Sequence, residues 1–422
     1  MTVAESAKAI EEHLRQLRRE FHRHPETSGN ERETAARIVR ELEDIGGFEI
    51  REGVGGNGVI AELSGALPGP TTALRADMDA LQIEEETGLS FRSENPGVMH
   101  ACGHDNHIAM LLGGAKILTE VKDHITMALG AARLLAQRKD ELRGRVRMIF
   151  QPSEELSPQG GSRKMIEEGA LEGVDAVFGM HVWPDLPLGK VGVKAGPLMA
   201  ASDHFTVTIK GKPSHAARPN EGIDALVAGA QFVTAAQTIV SRNADPMKSI
   251  VITIGRLNAG TRYNIIAGEC VLEGTCRTFD PSVRDLAERR LSEVLAGICT
   301  VSGCTGELNY ERGYMAVMND GKMADYMKES ADRILGNGTA VTVEPAMTAE
   351  DFSFYLDKKP GAFAWIGTTP PGETVWPLHS SPMKGCSGGE LPCLQDLPLG
   401  CRRDRKFCYQ KKVERQAFSL KQ

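Results

Sequence analysis

The sequence predicts an α/β domain that is interrupted by a smaller α+β domain, and three observations support this fold class. The chain has 422 residues, which is too long for one ordinary hydrophobic core. Short apolar or β-branched runs alternate with helical stretches in its first half, which favours a layered domain with a largely parallel sheet. In the middle of the chain the order changes to strand, helix, strand, strand, helix, which is typical of a small α+β unit.

The larger α/β domain is expected to comprise residues 1–197 and 316–422. Its first part, residues 5–46, has the spacing of apolar side chains that is typical of helices. Four strands and two further helices are then predicted from runs of β-branched residues and from helical periodicity. The strands are 58–63, 72–78, 146–150 and 176–182, and the helices are 107–141 and 162–170.

The inserted α+β domain is expected at residues 198–315. Residues 204–210 alternate between apolar and polar side chains, as a half-buried strand does. A helix at 222–241, strands at 249–256 and 269–278, and a helix at 281–298 are predicted to follow. These strands are expected to pair as an antiparallel sheet before the chain returns to the first domain.

The composition is that of an ordinary globular protein, with 41% hydrophobic and 25% charged residues. A net charge of −7 argues against nucleic acid as the main partner, because phosphate binding needs concentrated Lys and Arg. No apolar run has the length of a signal peptide or a membrane span, so a cytoplasmic protein without a membrane partner is expected. The nine cysteines are expected to be reduced thiols.

The densest group of reactive side chains lies in residues 99–107, which read Met-His-Ala-Cys-Gly-His-Asp-Asn-His. Thiolate and imidazole are ligands that zinc-like cations prefer, and an adjacent carboxylate can orient a ligating imidazole. This cluster of three histidines, Cys102 and Asp105 therefore indicates a metal site just before a helix. The alternatives are a small core cysteine with histidines that cap the helix, and a cysteine nucleophile, which the surrounding ligand types disfavour.

Two carboxylates, Glu154 and Glu155, directly follow the predicted strand 146–150. Such a strand end is where α/β folds place their sites, and one carboxylate can bind a metal while the other accepts a proton from water. His181, in Gly-Met-His-Val-Trp-Pro, and His379, in Pro-Leu-His-Ser, are further candidate ligands. Each signal is weak alone, since Glu pairs are common on solvated surfaces and a lone histidine is often structural.

Together these motifs resemble the M20 family of metallopeptidases, specifically the amidohydrolase branch that contains aminoacylases, hippurate hydrolases and auxin-conjugate hydrolases. The resemblance runs from about residue 8 to Pro382. Several separated motifs carry it in the order of the family: Arg75–Leu81, His100–Asp105, Glu154–Glu155, Gly179–Pro184, Ser214–Ala217 and Met347–Phe352.

The resemblance implies roles for individual residues. Two divalent cations would be bound by Cys102, His104, Glu155, His181 and His379. The metal would be zinc, manganese, cobalt or nickel. Glu154 would be the general base, and Asp79 and Asp105 would orient ligands from the second shell. His215 would steady the tetrahedral oxyanion, in some relatives within the active site of a neighbouring subunit. Asn264 and Arg277 are looser matches to positions that contact substrate.

The activity implied by the resemblance is hydrolysis of the amide bond of N-acyl or N-aroyl amino acids, with the inserted satellite domain mediating a homodimer or a higher homo-oligomer. A dipeptidase or carboxypeptidase with the same metal chemistry is one alternative. Another is an inactive, metal-binding product of a damaged gene, because two stretches depart from the family pattern. Residues 107–140 contain an internal repeat with an offset of 17 residues, and residues 383–422 form a basic tail with four cysteines.

Both departures are interpreted in the same way. Two copies are too few for a solenoid, so the repeat indicates an artefact of the gene model or a recent duplication, with His107 original and His124 a copy. The tail indicates a frameshift or a mis-spliced exon. A zinc site formed by the four tail cysteines is the functional alternative, although their spacing lacks the close pairs of usual zinc ribbons.

Overall fold

The structure is a computed structural model that describes residues 3–120 and 143–370. The first part of the chain forms helices α1 (Val3–Ala9), α2 (Glu11–Arg23) and α3 (Arg32–Ile45), followed by strands β1 (Glu49–Val54), β2 (Gly58–Ser64) and β3 (Leu67–Asp77). Next come helix α4 (His104–Glu120), strand β4 (Arg143–Gln151), helix α5 (Gly161–Glu167), and strands β5 (Ala176–Pro187), β6 (Val191–Gly192) and β7 (Gly196–Met199). The predicted N-terminal helical region is therefore three helices.

A four-stranded antiparallel sheet with two helices follows, and we call this unit the satellite domain. Its elements are β8 (Ala201–Lys210), a 3-10 turn (Pro219–Glu221), α6 (Ala225–Thr238), a π-helical turn (Ile239–Asn243), β9 (Ile250–Ala259), β10 (Glu269–Thr278), α7 (Pro281–Ser302) and β11 (Thr305–Arg312). The strand order is β11-β8-β10-β9. The antiparallel pairing agrees with the prediction, whereas strand β11 was not predicted.

The chain then returns to the larger domain through β12 (Val317–Asn319), α8 (Gly321–Leu335), β13 (Ala340–Val341), α9 (Ser353–Lys358) and β14 (Gly361–Thr369). The large sheet has the order β1-β2-β4-β3-β5-β14-β6-β13. Its centre is parallel, because β3 pairs in parallel with β4 and β5, and β14 pairs in parallel with β5. The fold is thus α/β with an α+β satellite, while the residue bounds predicted for the two domains stay a prediction.

Helices α2, α3 and α4 cover one face of the large sheet and form its main core. Helix α2 buries Leu14, Leu17 and Phe21, which lie three and four residues apart on one face. Each such side chain contributes about 1.5–3 kcal/mol when it is buried. This packing fixes the start of α4, where His104 is the first helical residue, against the end of strand β3.

The satellite domain has a separate core under α6 and α7. Strand β8 buries Phe205, Val207 and Ile209 in strict alternation, as its sequence pattern predicted. Helix α6 begins at Ala225, where the Asp224 side chain accepts hydrogen bonds from two backbone N–H groups.

Some sequence predictions fall outside the described residues: His379, the second copy of the repeat and the tail 383–422. Among the described cysteines, all five are free thiols. No helix in the described ranges combines the length and the apolar character needed to cross a membrane.

Candidate active site and metal centre

The candidate site lies at the carboxyl ends of three neighbouring strands. Asp77 ends strand β3 and is opposite Gln151, the last residue of β4. Glu154 follows β4 by three residues, and His181 lies within β5. Because parallel strands direct their carboxyl ends to one edge of the sheet, these side chains converge although they are far apart in the sequence.

His104 and Glu155 present two buried atoms without hydrogen-bond partners to each other. Nε2 of His104 and Oε1 of Glu155 lie 3.9 Å apart, and neither has a partner. Nδ1 of His104 is already bonded to the backbone oxygen of Asp79 at 2.8 Å. Buried polar atoms are nearly always satisfied, so this pair fits a cation that both atoms reach at about 2.0–2.2 Å. Cys102 offers its sulfur to the same group of ligand atoms.

The charges around His104 also favour a cation. Burial alone would lower the pKa of His104, but the carboxylates of Asp77 and Asp79 raise it well above its usual value. Burial raises the pKa of the Cys102 thiol. A cation bound here would displace both protons, since metal ligands must be deprotonated.

His181 and His107 lie beside His104, and of these two histidines only His181 keeps a ring nitrogen that a metal could bind. The ring centroids of His107 and His181 are 4.6 Å apart. Nδ1 of His107 is bonded to Oδ1 of Asp77 at 2.5 Å, and its Nε2 accepts from the backbone N–H of Val182 at 3.0 Å. His107 therefore ties α4 to β3 and β5. Burial lowers the pKa of His181 to about 3, so its imidazole is neutral, the form that binds metals.

A glycine allows this close packing. Gly103 has φ +86°, in the left-handed region, and a Cβ atom there would lie 2.7 Å from a methyl group of Val182. The turn between Cys102 and His104 can thus press against strand β5.

Glu154 is buried, 7% exposed, beside two further acidic side chains. Its carboxylate atoms lie within 4.8 Å of those of Glu350 and Asp351. Burial first, and then the charges of Glu350 and Glu155, raise the pKa of Glu154 well above its ordinary value. A carboxylate with a raised pKa is a better proton acceptor, so the arrangement suits a general base.

A buried arginine network beneath Glu154 was missed by the sequence analysis. The guanidinium of Arg75 contacts Asp77 at 2.8 Å, Asp351 at 2.9 Å and Glu350 at 3.0 Å, and it donates to Gln151. One positive charge thus offsets three buried carboxylates. The motifs that contain these residues carried the family resemblance, but nothing in the sequence places residues 75 and 351 in contact.

The loop that carries Glu154 and Glu155 has a second support that the sequence analysis missed. Ser153 has φ +58°, in the left-handed region that few non-glycine residues adopt. Its backbone N–H donates to Glu31 at 2.8 Å, and Glu31 is fully buried. Strained backbone of this kind persists where surrounding contacts hold it, and it is common at active sites.

The two aspartates predicted to orient metal ligands, Asp79 and Asp105, have different surroundings. Asp79 accepts from the backbone N–H of Glu155 at 2.9 Å and, through its own backbone oxygen, from His104. The carboxylate of Asp105 accepts from Arg18 at 2.9 Å and lies 3.0 Å from Nδ1 of His22. Asp79 thus touches two predicted ligands, while Asp105 joins α4 to α2.

The remaining predicted residues lie in the satellite domain. His215 is exposed, and it forms an isolated bridge with Ile265. The backbone of Ala216 donates to that of Asn264, whose buried Oδ1 has no partner among the described residues. Arg277 lies on β10 opposite Ser202. The structure thus brings the segments of His215 and Asn264 together within the satellite domain.

Comparisons with known proteins extend over most of the chain. The model of the family described as Peptidase family M20/M25/M40 matches residues 73–125 and 121–382, and the two matches meet inside the internal repeat. An N-acetylcysteine deacetylase of Bacillus subtilis is 42% identical over 371 residues, which cover 87% of this chain and 91% of that protein. Thermostable carboxypeptidase 1 of Saccharolobus solfataricus is 38% identical over 375 residues, which cover 88% of this chain and 90% of that protein.

A solved structure gives the same result. The crystal structure of the YxeP protein of Bacillus subtilis, a dinuclear metal-binding peptidase from the M20 family, matches with a TM-score of 0.72 and 39% identity, covering 87% of this chain and 91% of that one. Since the family model matches well over half of the chain, this chain belongs to peptidase family M20/M25/M40.

Proposed function

We propose that this protein hydrolyses the amide bond of N-acyl amino acids and releases a carboxylic acid and a free amino acid. The observation that carries the proposal is the unsatisfied pair, Nε2 of His104 and Oε1 of Glu155, in the same site as the buried carboxylate of Glu154. The name of the N-acetylcysteine deacetylase relative supports the substrate class.

Four described residues would hold the metals: Cys102, His104, Glu155 and His181, with His379 as the fifth ligand from the family resemblance. Two divalent cations held there would acidify a water molecule and polarise the scissile carbonyl. The thiolate favours zinc or cobalt, whereas imidazole and carboxylate also suit manganese or nickel.

Proton transfer is assigned to Glu154. It accepts the proton of the attacking water and passes it to the leaving nitrogen, which is the usual division of general-base work. His215 would donate to the developing oxyanion, a contact that is typically worth about 3–4 kcal/mol. Asn264 and Arg277 are proposed to contact the substrate.

The satellite domain is proposed to form a homodimer, through which His215 reaches the site of the second subunit. Helix α6 has no charged residue over its whole length, yet Leu226 and Val227 on it are 44% and 48% exposed. Strand β9 beside it is an edge of the described sheet and exposes Leu257. A second copy would cover this apolar helix face and pair with the open edge.

The interface can be tested by analytical ultracentrifugation. Val227→Asp should dissociate the dimer, because it buries an unpaired charge. Val301→Asp is the matched control, since Val301 is 83% exposed on α7. A monomeric wild-type protein would contradict the proposal.

A carboxypeptidase is the second candidate, because a relative of similar identity carries that name. Both reactions hydrolyse an amide bond next to an amino acid, so the same metals and the same base would serve. The difference lies in whether the acyl group is a simple acid or a peptide.

The test is turnover by the purified full chain, stripped of metal and then loaded with zinc, manganese, cobalt or nickel. Substrates are N-acetylmethionine, hippurate and a set of dipeptides, and the release of free amino acid is measured. Glu154→Gln, which keeps the shape and the metal ligands, should lose roughly 10²–10⁴-fold in kcat with the bound metal unchanged.

The outcomes separate the candidates. Metal-dependent turnover of the N-acyl substrates that Glu154→Gln abolishes would establish the proposal, and exclusive turnover of peptides would favour the carboxypeptidase. A folded protein that binds two metals but turns over none of these substrates would favour the inactive product of a damaged gene.

A further inference from the structure

We propose that Tyr314 is a positioning residue that ties the loop of the general base to the chain segment joining the two domains, so that the orientation of the satellite domain sets the placement of Glu154. This inference rests on the proposed role of Glu154. It concerns a residue that the family motifs quoted above do not contain.

Tyr314 lies where the chain leaves the satellite domain. The two crossings between the domains are bonded to each other, because the backbone N–H of Ser202 donates to the backbone oxygen of Tyr314 at 3.0 Å. Next to them, β7 and β12 form a short antiparallel pair. Tyr314 is therefore part of the connection between the two domains. We call this connection, residues 313–314 with the facing Ser202, the hinge.

Its side chain points to the catalytic loop. The hydroxyl of Tyr314 donates to the backbone oxygen of Glu154 at 2.5 Å, and both groups are buried. Gly160, at the end of the same loop, comes so close that a Cβ atom there would lie 3.0 Å from the tyrosine ring. The ring also meets Phe354 edge-on, with centroids 6.0 Å apart. The contact fixes the backbone of Glu154 and leaves its carboxylate free.

The neighbouring residue, Gly313, is held from both domains. On the satellite side, its N–H donates to Asp203 at 3.1 Å, and Arg284 donates to its oxygen at 3.2 Å. Asp203 is buried and also accepts from Nε of Arg284 and from Tyr310. This cluster makes the start of the hinge a rigid part of the satellite.

On the other side, Arg163 of helix α5 donates to the same oxygen of Gly313 at 3.2 Å. Its guanidinium lies over the ring of Phe354 at 4.1 Å. A rotation of the satellite about the hinge would therefore act on Gly313, and through the adjacent Tyr314 on Glu154. A displacement of about 1 Å at a catalytic group can cost 10²-fold in rate.

The test uses Tyr314→Phe in the metal-loaded full chain, which removes the hydroxyl and keeps the ring. The matched control is Tyr355→Phe, because Tyr355 is also buried but its hydroxyl donates to the sulfur of Met165 at 3.6 Å and not to the backbone of Glu154. We expect Tyr314→Phe to lower kcat roughly 10- to 100-fold, with KM and metal content unchanged. A merely structural role would lower the melting temperature and leave kcat intact.

Hydrogen–deuterium exchange gives a readout that does not need activity. Amides of residues 153–162 should exchange faster in Tyr314→Phe than in the wild type, and equally fast in Tyr355→Phe and the wild type. Unchanged exchange would overturn the proposal, even if the wild-type chain were inactive and the proposed function had failed separately.

A second variant covers poor folding of the first. Arg163→Gln removes the bond to Gly313 without touching Glu154 and should lower kcat in the same direction. Its effect should be non-additive with that of Tyr314→Phe, because both act through the hinge. Additive losses, or a normal kcat in Arg163→Gln, would contradict the coupling.

Discussion

Replacing Glu31 with alanine is expected to destabilise the larger domain and to slow hydrolysis. The buried carboxylate accepts from the backbone N–H groups of Ser153 at 2.8 Å and Gly29 at 2.9 Å, and from Asn57 at 3.0 Å. Three donors that lose an acceptor at about 1 kcal/mol each cost roughly 3 kcal/mol. Burying the Glu31 carboxylate, which raises its pKa, has a desolvation cost that offsets part of this loss, so a net loss of about 2 kcal/mol is expected.

The effect on catalysis comes through Ser153. Its left-handed backbone stores about 1–3 kcal/mol of strain, and without Glu31 the residue is free to relax to an ordinary conformation. Glu154, the next residue, would then turn away from the site. We therefore expect kcat to fall roughly 10- to 100-fold, beyond the loss of stability.

The assay measures thermal unfolding of the metal-free protein and kcat of the metal-loaded protein. The kcat values are measured at a temperature at which the wild type and the variants are all folded. Glu26→Ala is the control, because Glu26 lies in the same connection and accepts from Thr34 at 2.8 Å, but does not touch Ser153 in the described contacts. The control should lose stability and keep its kcat. An unchanged kcat in Glu31→Ala would refute the reasoning that Glu31 holds the catalytic loop.

Two further predictions concern charge and metal. Burial alone would raise the pKa of Asp105, but Arg18 and His22 hold it well below its usual range; Asp105 in turn outweighs the effect of burial and raises the pKa of His22. The stability gap between wild type and Asp105→Asn, measured in urea without metal, should therefore be largest between about pH 4 and 6.5. This difference in unfolding free energy narrows as pH falls through the lowered pKa of Asp105, and also as pH rises through the raised pKa of His22. A difference that widens in acid would contradict the prediction. Removing the bound metal with a chelator should lower the melting temperature, since a ligand at 100 times its Kd stabilises a protein by about 2.7 kcal/mol. At equal zinc concentration, Cys102→Ser should gain less in melting temperature than the wild type. An equal gain would show that the sulfur is not a ligand.

The candidate metal cluster could be nominated from the sequence because its proposed ligands occur in short, chemically dense motifs. Cys102 and His104 lie in one turn, and Glu155 directly follows a strand, so local patterns were enough to nominate them. The structure brings these three together. His379, Asn264 and Arg277 stay predictions.

The supporting network was not predictable, since it depends on contacts between distant parts of the chain. Arg75 and Asp351 are 276 residues apart, and Tyr314 and Glu154 are 160 apart. Strand β11 was missed for a related reason. Its apolar alternation is confined to Leu308 and Tyr310, which are only partly buried, so the strand is defined mainly by its pairing with β8.

The position of β14 in the large sheet has a consequence for folding during synthesis. All four strands of the satellite sheet are contiguous between residues 201 and 312, so this unit can complete its core as soon as it leaves the ribosome. The larger domain must wait for residues 361–369, which insert between β5 and β6. Until residues 350 and 351 arrive as well, Arg75 has only part of its counter-charge. A nascent chain therefore passes through a stage in which the satellite domain has all its strands while the large sheet still lacks β14.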